Sequence, residues 1–442
     1  MTVSAFAIAQ AAAAENTDFN NLERIPDTVA VTTETGTISL TLGSGDLWTV
    51  PDSPGESASR GAQSASQNTR EQFPRTSDVK SNIHVSTTLR PAGIEVVLSA
   101  PGIAVKSVQI SWPGNLPSDG LYLGDAWERA YGDLEWKPLD PKRVMPWYFL
   151  VTYQARTDGF GVKTDPSALC YWTTETNAIT LHADVRCGGM GVQLGKRKLP
   201  VCTVICRQGL AGETTFAADR AFCRQICSHP RLPRQPVYGF NDWYCTYGRD
   251  TAPKFLANVD FLTGLSAENK NRPFAVMDDG WQWKGENGDD PGLWNQVNPA
   301  FSRTMTMREI AAAIRRRGAR PGLWYRPLIA NAEAPQNWRL QRDPAFLDPT
   351  VPQVRALIRQ TVKRFRGWGY ELIKHDFTTD DICGRWGMEM HDSVTADGWA
   401  FADRSKTTAE AIRDLYQDIR SAAGNHVIID GCNTIGHLSA GL

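Results

Sequence analysis

Two rhythms of apolar and polar residues divide the chain. From about Thr28 to Ile205 the apolar positions fall in short alternating runs. These are Thr28–Val31 and Thr37–Leu42 about a turn at Gly36, then Ile83–Leu89, Gly93–Leu98, Val105–Trp112, Trp147–Tyr153, Ala178–Ala183 and Leu199–Ile205. Period-2 runs separated by Gly, Pro and Asp predict strands of an all-β sandwich, assigned to residues 1–230. Residues 52–82 are rich in Ser, Gln, Gly and Arg. They hold too few apolar side chains to pack, so a mobile polar excursion is expected there.

After Pro236 the pattern becomes strand, then helix, repeated. Strands are predicted at Val237–Tyr244, Phe274–Met277, Arg320–Ile329, Glu371–Lys374 and His426–Ile429. Helices are predicted at Ala252–Leu265, Met307–Arg317, Val354–Trp368 and Thr408–Ala422, with Leu357, Ile358, Thr361, Val362 and Phe365 forming one face of the third. Repeated βα units imply a parallel sheet with right-handed crossovers, either a TIM-type (β/α)₈ barrel or an open doubly wound sheet. Only five strands are counted, so residues 236–442 are expected to form an incomplete barrel.

Composition narrows the function classes. Lys plus Arg total 47 against 48 Asp plus Glu, a net charge of -1, which excludes a broad electrostatic footprint for nucleic acid or anionic membrane. No apolar run reaches the length of a membrane span. Ala5–Ala14 is the longest, but the first basic residue is Arg24, so a packed or frayed N-terminus is expected rather than a secretion signal. A soluble protein follows, with a cytoplasmic location favoured. Nine cysteines argue against a complete disulfide framework. The Cys202/Cys206 and Cys223/Cys227 pairs lack knuckle spacing and read as buried thiols rather than zinc ligands. No P-loop, dinucleotide fingerprint or zinc-protease helix is present, and neither a metal nor another cofactor is expected.

Chemistry in a parallel barrel gathers at the C-terminal strand ends. There the sequence places Asn241-Asp242-Trp243-Tyr244-Cys245, Asp278-Asp279-Gly280-Trp281, Trp324-Tyr325-Arg326, Lys374-His375-Asp376 and Asp430-Gly431-Cys432-Asn433. Carboxylates, an ammonium and indoles on one rim suit a sugar, whose hydroxyls need polar partners and whose apolar face packs on an indole. Bland readings stay open beside this one. Asp278-Asp279 could form a turn or helix cap, Lys374 and Asp376 a structural ion pair, and the tryptophans core. Lys374 could also be a Schiff-base lysine, but Asp376 nearby favours its ammonium form.

At these residues the sequence resembles glycoside hydrolase clan D, the α-galactosidase families 27 and 36. Family 36 is the nearer, because a sandwich precedes its barrel. Asp278-Asp279-Gly280-Trp281 and the Lys-X-Asp of Lys374–Asp376 carry the resemblance. It implies retaining hydrolysis of terminal α-galactosides in oligosaccharides or glycoconjugates, with Asp376 as nucleophile. It further implies that Lys374, Asp278 and Asp279 bind hydroxyls, that Trp243, Trp281 and Trp324 line the sugar, and that Cys432 lies near the 2-hydroxyl. Trp127, in Asp125-Ala126-Trp127-Glu128, is the aromatic the sandwich would lend. Family precedent includes oligomers. This sequence departs from the family in having His375 where Trp is usual, Phe377-Thr378-Thr379 after the nucleophile, and Arg326 where Glu is usual. Arg326 is expected to change the charge at the rim. The family's acid/base carboxylate follows a sixth strand, and no residue here aligns with it, so a truncated copy of a longer enzyme is expected. Raffinose- or stachyose-type transglycosylation and non-catalytic sugar binding are the alternative functions.

Overall fold

The computed structural model describes residues 28–41, 82–113, 116–129, 132, 134–286 and 290–442. The Ala5–Ala14 segment and the polar excursion, up to residue 81, lie outside these residues. The chain divides into two compact units, one of Met1–Ala126 with Asp133–Ser228, the other of Trp127–Gly132 with His229–Leu442.

The first unit is built of short strands, β1 (Thr28–Thr33), β2 (Gly36–Thr41), β3 (His84–Arg90), β4 (Gly93–Ser99), β5 (Ala104–Pro113), β6 (Leu121–Gly124), β7 (Lys137–Pro138), β8 (Met145–Pro146), β9 (Tyr148–Tyr153), β10 (Arg156–Val162), β11 (Leu169–Glu175), β12 (Ala178–Asp184), β13 (Val192–Gln193) and β14 (Leu199–Arg207). They form two antiparallel sheets, ordered β2-β1-β5-β12-β11-β8 with β13 on β5, and β3-β4-β14-β10-β9-β6-β7. The alternation that predicts β12 is the alternation that buries Ile179, Leu181 and Ala183. In β5 the alternation slips by one residue after Lys106, where the register with β1 also shifts, as a bulge requires. Trp172 of one sheet meets Trp112 at 6.0 Å and Phe149 of the other sheet at 5.9 Å, so the sheets share an aromatic core.

Strands β6, β7, β8, β10, β11 and β13 and one helix have no counterpart among the predicted runs. β10 is buried almost throughout, so it shows no alternation. The reason is a helix, Thr215–Ile226, which the periodicity reading leaves out. Its Phe222 lies over β10, and a Cβ on Gly159 would come within 2.7 Å of that ring. Glycine is required there by close approach.

The second unit carries β15 (Gly239–Asn241), β16 (Phe274–Met277), β17 (Arg320–Tyr325), β18 (Leu372–His375) and β19 (Ile428–Gly431), all parallel and in sequential order. Four helices of ten or more residues intervene among the described residues, Ala252–Leu265, Met307–Arg316, Pro352–Trp368 and Thr408–Ala423. Thr306 and Glu309 form a reciprocal capping box, as do Thr407 and Glu410, which fixes where two of them start. Helix Pro352–Trp368 buries Val354, Ile358, Thr361, Val362 and Phe365, whereas Leu357 is half-buried at the edge of that face. β15 is shorter than expected because Trp243–Thr246 coils into a helical turn. β19 is displaced two residues C-terminally from its expected start.

Register explains how the sheet builds a site. Asn241, Val276, Gly322, Leu372 and Ile428 form one cross-strand row, with Val276 and Leu372 in an apolar cluster on which Ile428 packs. Side chains two residues farther along point to the same face. That next row contains Trp324, Lys374 and Asp430, in register, with Asp278 directly after β16. An apolar layer is therefore capped by a polar one at the C-terminal strand ends. No helix among the described residues is long and apolar enough to cross a membrane.

Candidate active site

The centre of the polar layer is Lys374. Its Nζ donates to Asp278 Oδ2 at 2.7 Å and lies 4.0 Å from Asp376 Oδ2. One ammonium thus ties the end of β16 to the end of β18. Burial acts to lower the Lys374 pKa, but the hydrogen bond and charge of Asp278, with smaller help from Cys432 and Asp376, raise it overall. It is an ammonium at neutral pH.

Asp376 is buried, and donors surround it. Trp324 Nε1 donates to Oδ2 at 2.9 Å, while Asn433 Nδ2 and the Phe377 N–H donate to Oδ1 at 2.7 and 2.8 Å. Its own N–H continues the ladder to Tyr325 O at 3.0 Å. Three donors and a cation on an acceptor-only group fix the plane of the carboxylate as well as satisfy it.

Asp278 is held as firmly. Asn241 Nδ2 donates to Oδ2 at 2.6 Å, the Asp279 N–H donates to Oδ1 at 2.9 Å, and the Asp278 N–H donates to Asp242 Oδ1 at 2.7 Å. Asp279 is half-buried and turned to its own loop, accepting from Gln282 Nε2 at 2.6 Å with Lys284 at 3.4 Å. Gly280 has φ +109, and a Cβ there would lie 2.4 Å from Gly248 O, so the β16 loop sits directly on the Trp243 loop. Trp243 is half-buried, its N–H donating to Asn241 Oδ1 and its indole edge-on to Tyr247 at 5.8 Å.

The other expected contributors divide. Trp324 is buried but reaches Asp376. Cys432 is half-buried, with its N–H on His375 O at 2.8 Å. Burial first, and then the charge of Asp376, push its thiol up to about 12, so it is a neutral thiol rather than a nucleophile. Trp281 corrects the expectation. It is fully buried, packs on Trp294, Phe365 and Trp368, and donates to Trp324 O at 2.9 Å, so it is core and presents no face to a sugar. Trp127 is also buried, its Nε1 donating to His391 O at 3.1 Å. Its neighbour Glu128 is also buried. Glu128 Oε2 accepts from the Gly387 N–H at 2.9 Å, and burial raises its carboxyl against bonds from Thr379 and Gly387, the charges of Asp376 and Asp380 adding slightly to the rise.

Sequence reasoning missed Asn433, Asn241 and Asp242, which bond Asp376 and Asp278 directly, although each adjoins a named motif. Asp242 is buried between Asp250 and Asp278, and burial pushes its carboxyl up to about 7. Arg326 also corrects the expectation of a charged rim. It makes a double contact with the fully buried Asp381, at 2.6 Å from Nη2 and 3.0 Å from Nε, so its charge is matched internally. His375 is buried and neutral, its pKa lowered by burial to about 3, and it bonds Thr378 Oγ1. Among the described residues no three His, Cys, Asp or Glu side chains cluster to hold a metal ion.

No protein-family model matches the sequence, and no curated protein matches it. Solved structures do. TtGalA, an α-galactosidase from Thermus thermophilus in complex with stachyose, has 18% identity and a TM-score of 0.52 over 81% of this chain and 74% of its own. A variant of the GH36 α-galactosidase AgaA from Geobacillus stearothermophilus, also with stachyose, has 16% identity and a TM-score of 0.52 over 94% of this chain. An α-galactosidase from Lactobacillus brevis has 15% identity and a TM-score of 0.52, again over 94%. The chain spans 63% and 61% of the lengths of these last two. It therefore shares the fold of GH36 α-galactosidases over the part of their length that it spans.

Proposed function

We propose that the chain is a retaining α-galactosidase-like glycoside hydrolase acting on terminal α-linked galactosides, with Asp376 as the nucleophile. The observation that carries this reading is the convergence of Trp324, Asn433, the Phe377 N–H and Lys374 on one buried carboxylate at the C-terminal strand ends. The likeness to α-galactosidases crystallised with stachyose supports the same substrate class.

An Asp376 oxygen attacks the anomeric carbon as the bond to the aglycone oxygen breaks, through an oxocarbenium-like transition state. The product is a glycosyl ester on Asp376. Water then attacks the same carbon, releasing galactose with retained configuration and regenerating the carboxylate. Asp278 and Lys374 bind sugar hydroxyls, Asp279 contributes at the rim, and Trp243 packs on the ring. Cys432 supplies a neutral thiol beside the nucleophile.

No residue of this chain is assigned the general-acid role. Natural galactosides have a leaving alkoxide that needs a proton, and general-acid assistance of that step is worth roughly 10²–10⁴-fold. An activated aryl galactoside leaves unprotonated and still glycosylates Asp376. Azide rescue tests the assignment. Asp376→Gly with azide and nitrophenyl α-galactoside is expected to give β-galactosyl azide. Rescue to the α-azide, or none while the native chain is active, would remove Asp376 from the role.

A further inference from the structure

Phe377 follows the nucleophile and adopts φ +67, ψ 3, a left-handed conformation that is unfavourable for a bulky residue. This conformation has a use. It turns the Phe377 N–H back onto Asp376 Oδ1, while the Phe377 carbonyl accepts from the Asp381 N–H at 2.9 Å and starts the helix Thr378–Cys383. The ring is held from outside the turn. The Arg326 guanidinium lies 4.2 Å from its centroid, and Trp386 and Trp324 meet it at 5.5 and 6.5 Å. Arg326 is in turn fixed by two hydrogen bonds donated to Asp381 and lies over Phe346 at 5.2 Å. Asp381 thus closes a loop. Its N–H holds the Phe377 carbonyl, and its carboxylate holds the cation that holds the Phe377 ring.

We propose that Arg326 is a positioning residue for the nucleophile. By stacking on Phe377 it maintains the left-handed turn that aims a backbone N–H at Asp376. The proposal rests on the reading of Asp376 as nucleophile, but its geometric part can be tested without it. A guanidinium can bond a carboxylate in the plane and stack an arene on its face at once, which lysine cannot.

The test pairs Arg326→Met with Asp381→Asn, so that no buried carboxylate is stranded, and measures the rate at which a galactose-configured fluorosugar labels Asp376. The double variant is expected to label roughly 10–100-fold more slowly, the scale of a misplaced reacting group. Adding Phe377→Gly, which takes positive φ freely and keeps the N–H, restores most of the rate. Arg326→Lys, which keeps a charge for Asp381, shows a smaller loss in the same direction. Native-rate labelling in the double variant, or no rescue by glycine at equal thermal midpoints, overturns the proposal. Selective ¹⁵N-phenylalanine labelling gives a second readout. The Phe377 amide proton is expected at low field in the native chain and to move upfield in the double variant. If the native chain takes no label while it demonstrably binds the sugar, the nucleophile reading has failed, and the amide shift alone decides the role of Arg326: an unmoved shift refutes it.

Discussion

Two buried aspartates, one in each unit, show how differently the same group can be used. Asp158 in β10 accepts from Arg156 at 2.8 Å, from Tyr153 Oη at 2.9 Å and from the Gly209 N–H at 2.7 Å. Two of those partners lie within five residues, in its own hairpin. Asp376 is equally enclosed, but its partners come from the ends of β17, β18 and β19, and Lys374 links it onward to the end of β16. A carboxylate satisfied by two side chains of its own hairpin and one backbone N–H from outside it is part of how that hairpin folds and packs. One satisfied by side chains from several strand ends demands long-range order that folding of the local segment does not need, so it points to chemistry.

The contrast breaks most visibly at the two carboxylates themselves. Asp376→Asn should lower turnover of an activated aryl α-galactoside by at least about 10⁴-fold with little change in thermal midpoint, checked by steady-state kinetics and melting. Lys374→Met, which strands the Asp278 charge and removes a proposed sugar ligand, should cost roughly 10²-fold in kcat/KM. Asp158→Ala should do the reverse. It leaves Arg156 without its partner and should cost about 3 kcal/mol in denaturant unfolding, while fluorosugar labelling proceeds at the native rate.

Asp242 sharpens the comparison through pH. Its folded-state pKa is raised from 3.8 to about 7 by burial, so the folded state holds a proton that the unfolded state has lost. Its contribution is therefore favourable below about pH 4 and is lost as pH rises through about 7, by up to about 4 kcal/mol. Asp242→Asn keeps the acceptor for the Asp278 N–H and should flatten the stability–pH slope in that window, measured by urea unfolding. Gly159→Ala, with a Cβ 2.7 Å from Phe222, is the smallest effect and should destabilise by roughly 1–3 kcal/mol without changing the labelling rate.

The parallel strands were legible because each is a short apolar run ending in polar residues, and the helices because their apolar residues recur at three and four. β10 was not, because a helix covers its second face and erases alternation. Trp281 reads as a sugar platform from its motif, but Gly280 at φ +109 turns the chain and sends the indole into the Trp294–Phe365 core. Asn433 was passed over because its reach to Asp376 depends on its own positive φ of +49, which no spacing rule encodes. Arg326 looked like a rim charge because its partner, Asp381, stands 55 residues away. Pairings of that range are set by packing, and packing is what a one-dimensional pattern lacks.

The most direct test is covalent. The native chain is incubated with a galactose-configured 2-deoxy-2-fluoro or cyclitol trap, digested, and the modified peptide sequenced by mass spectrometry. The account predicts one adduct per chain, on Asp376, absent from Asp376→Asn. An adduct on another carboxylate, or none under conditions where the sugar demonstrably binds, contradicts it.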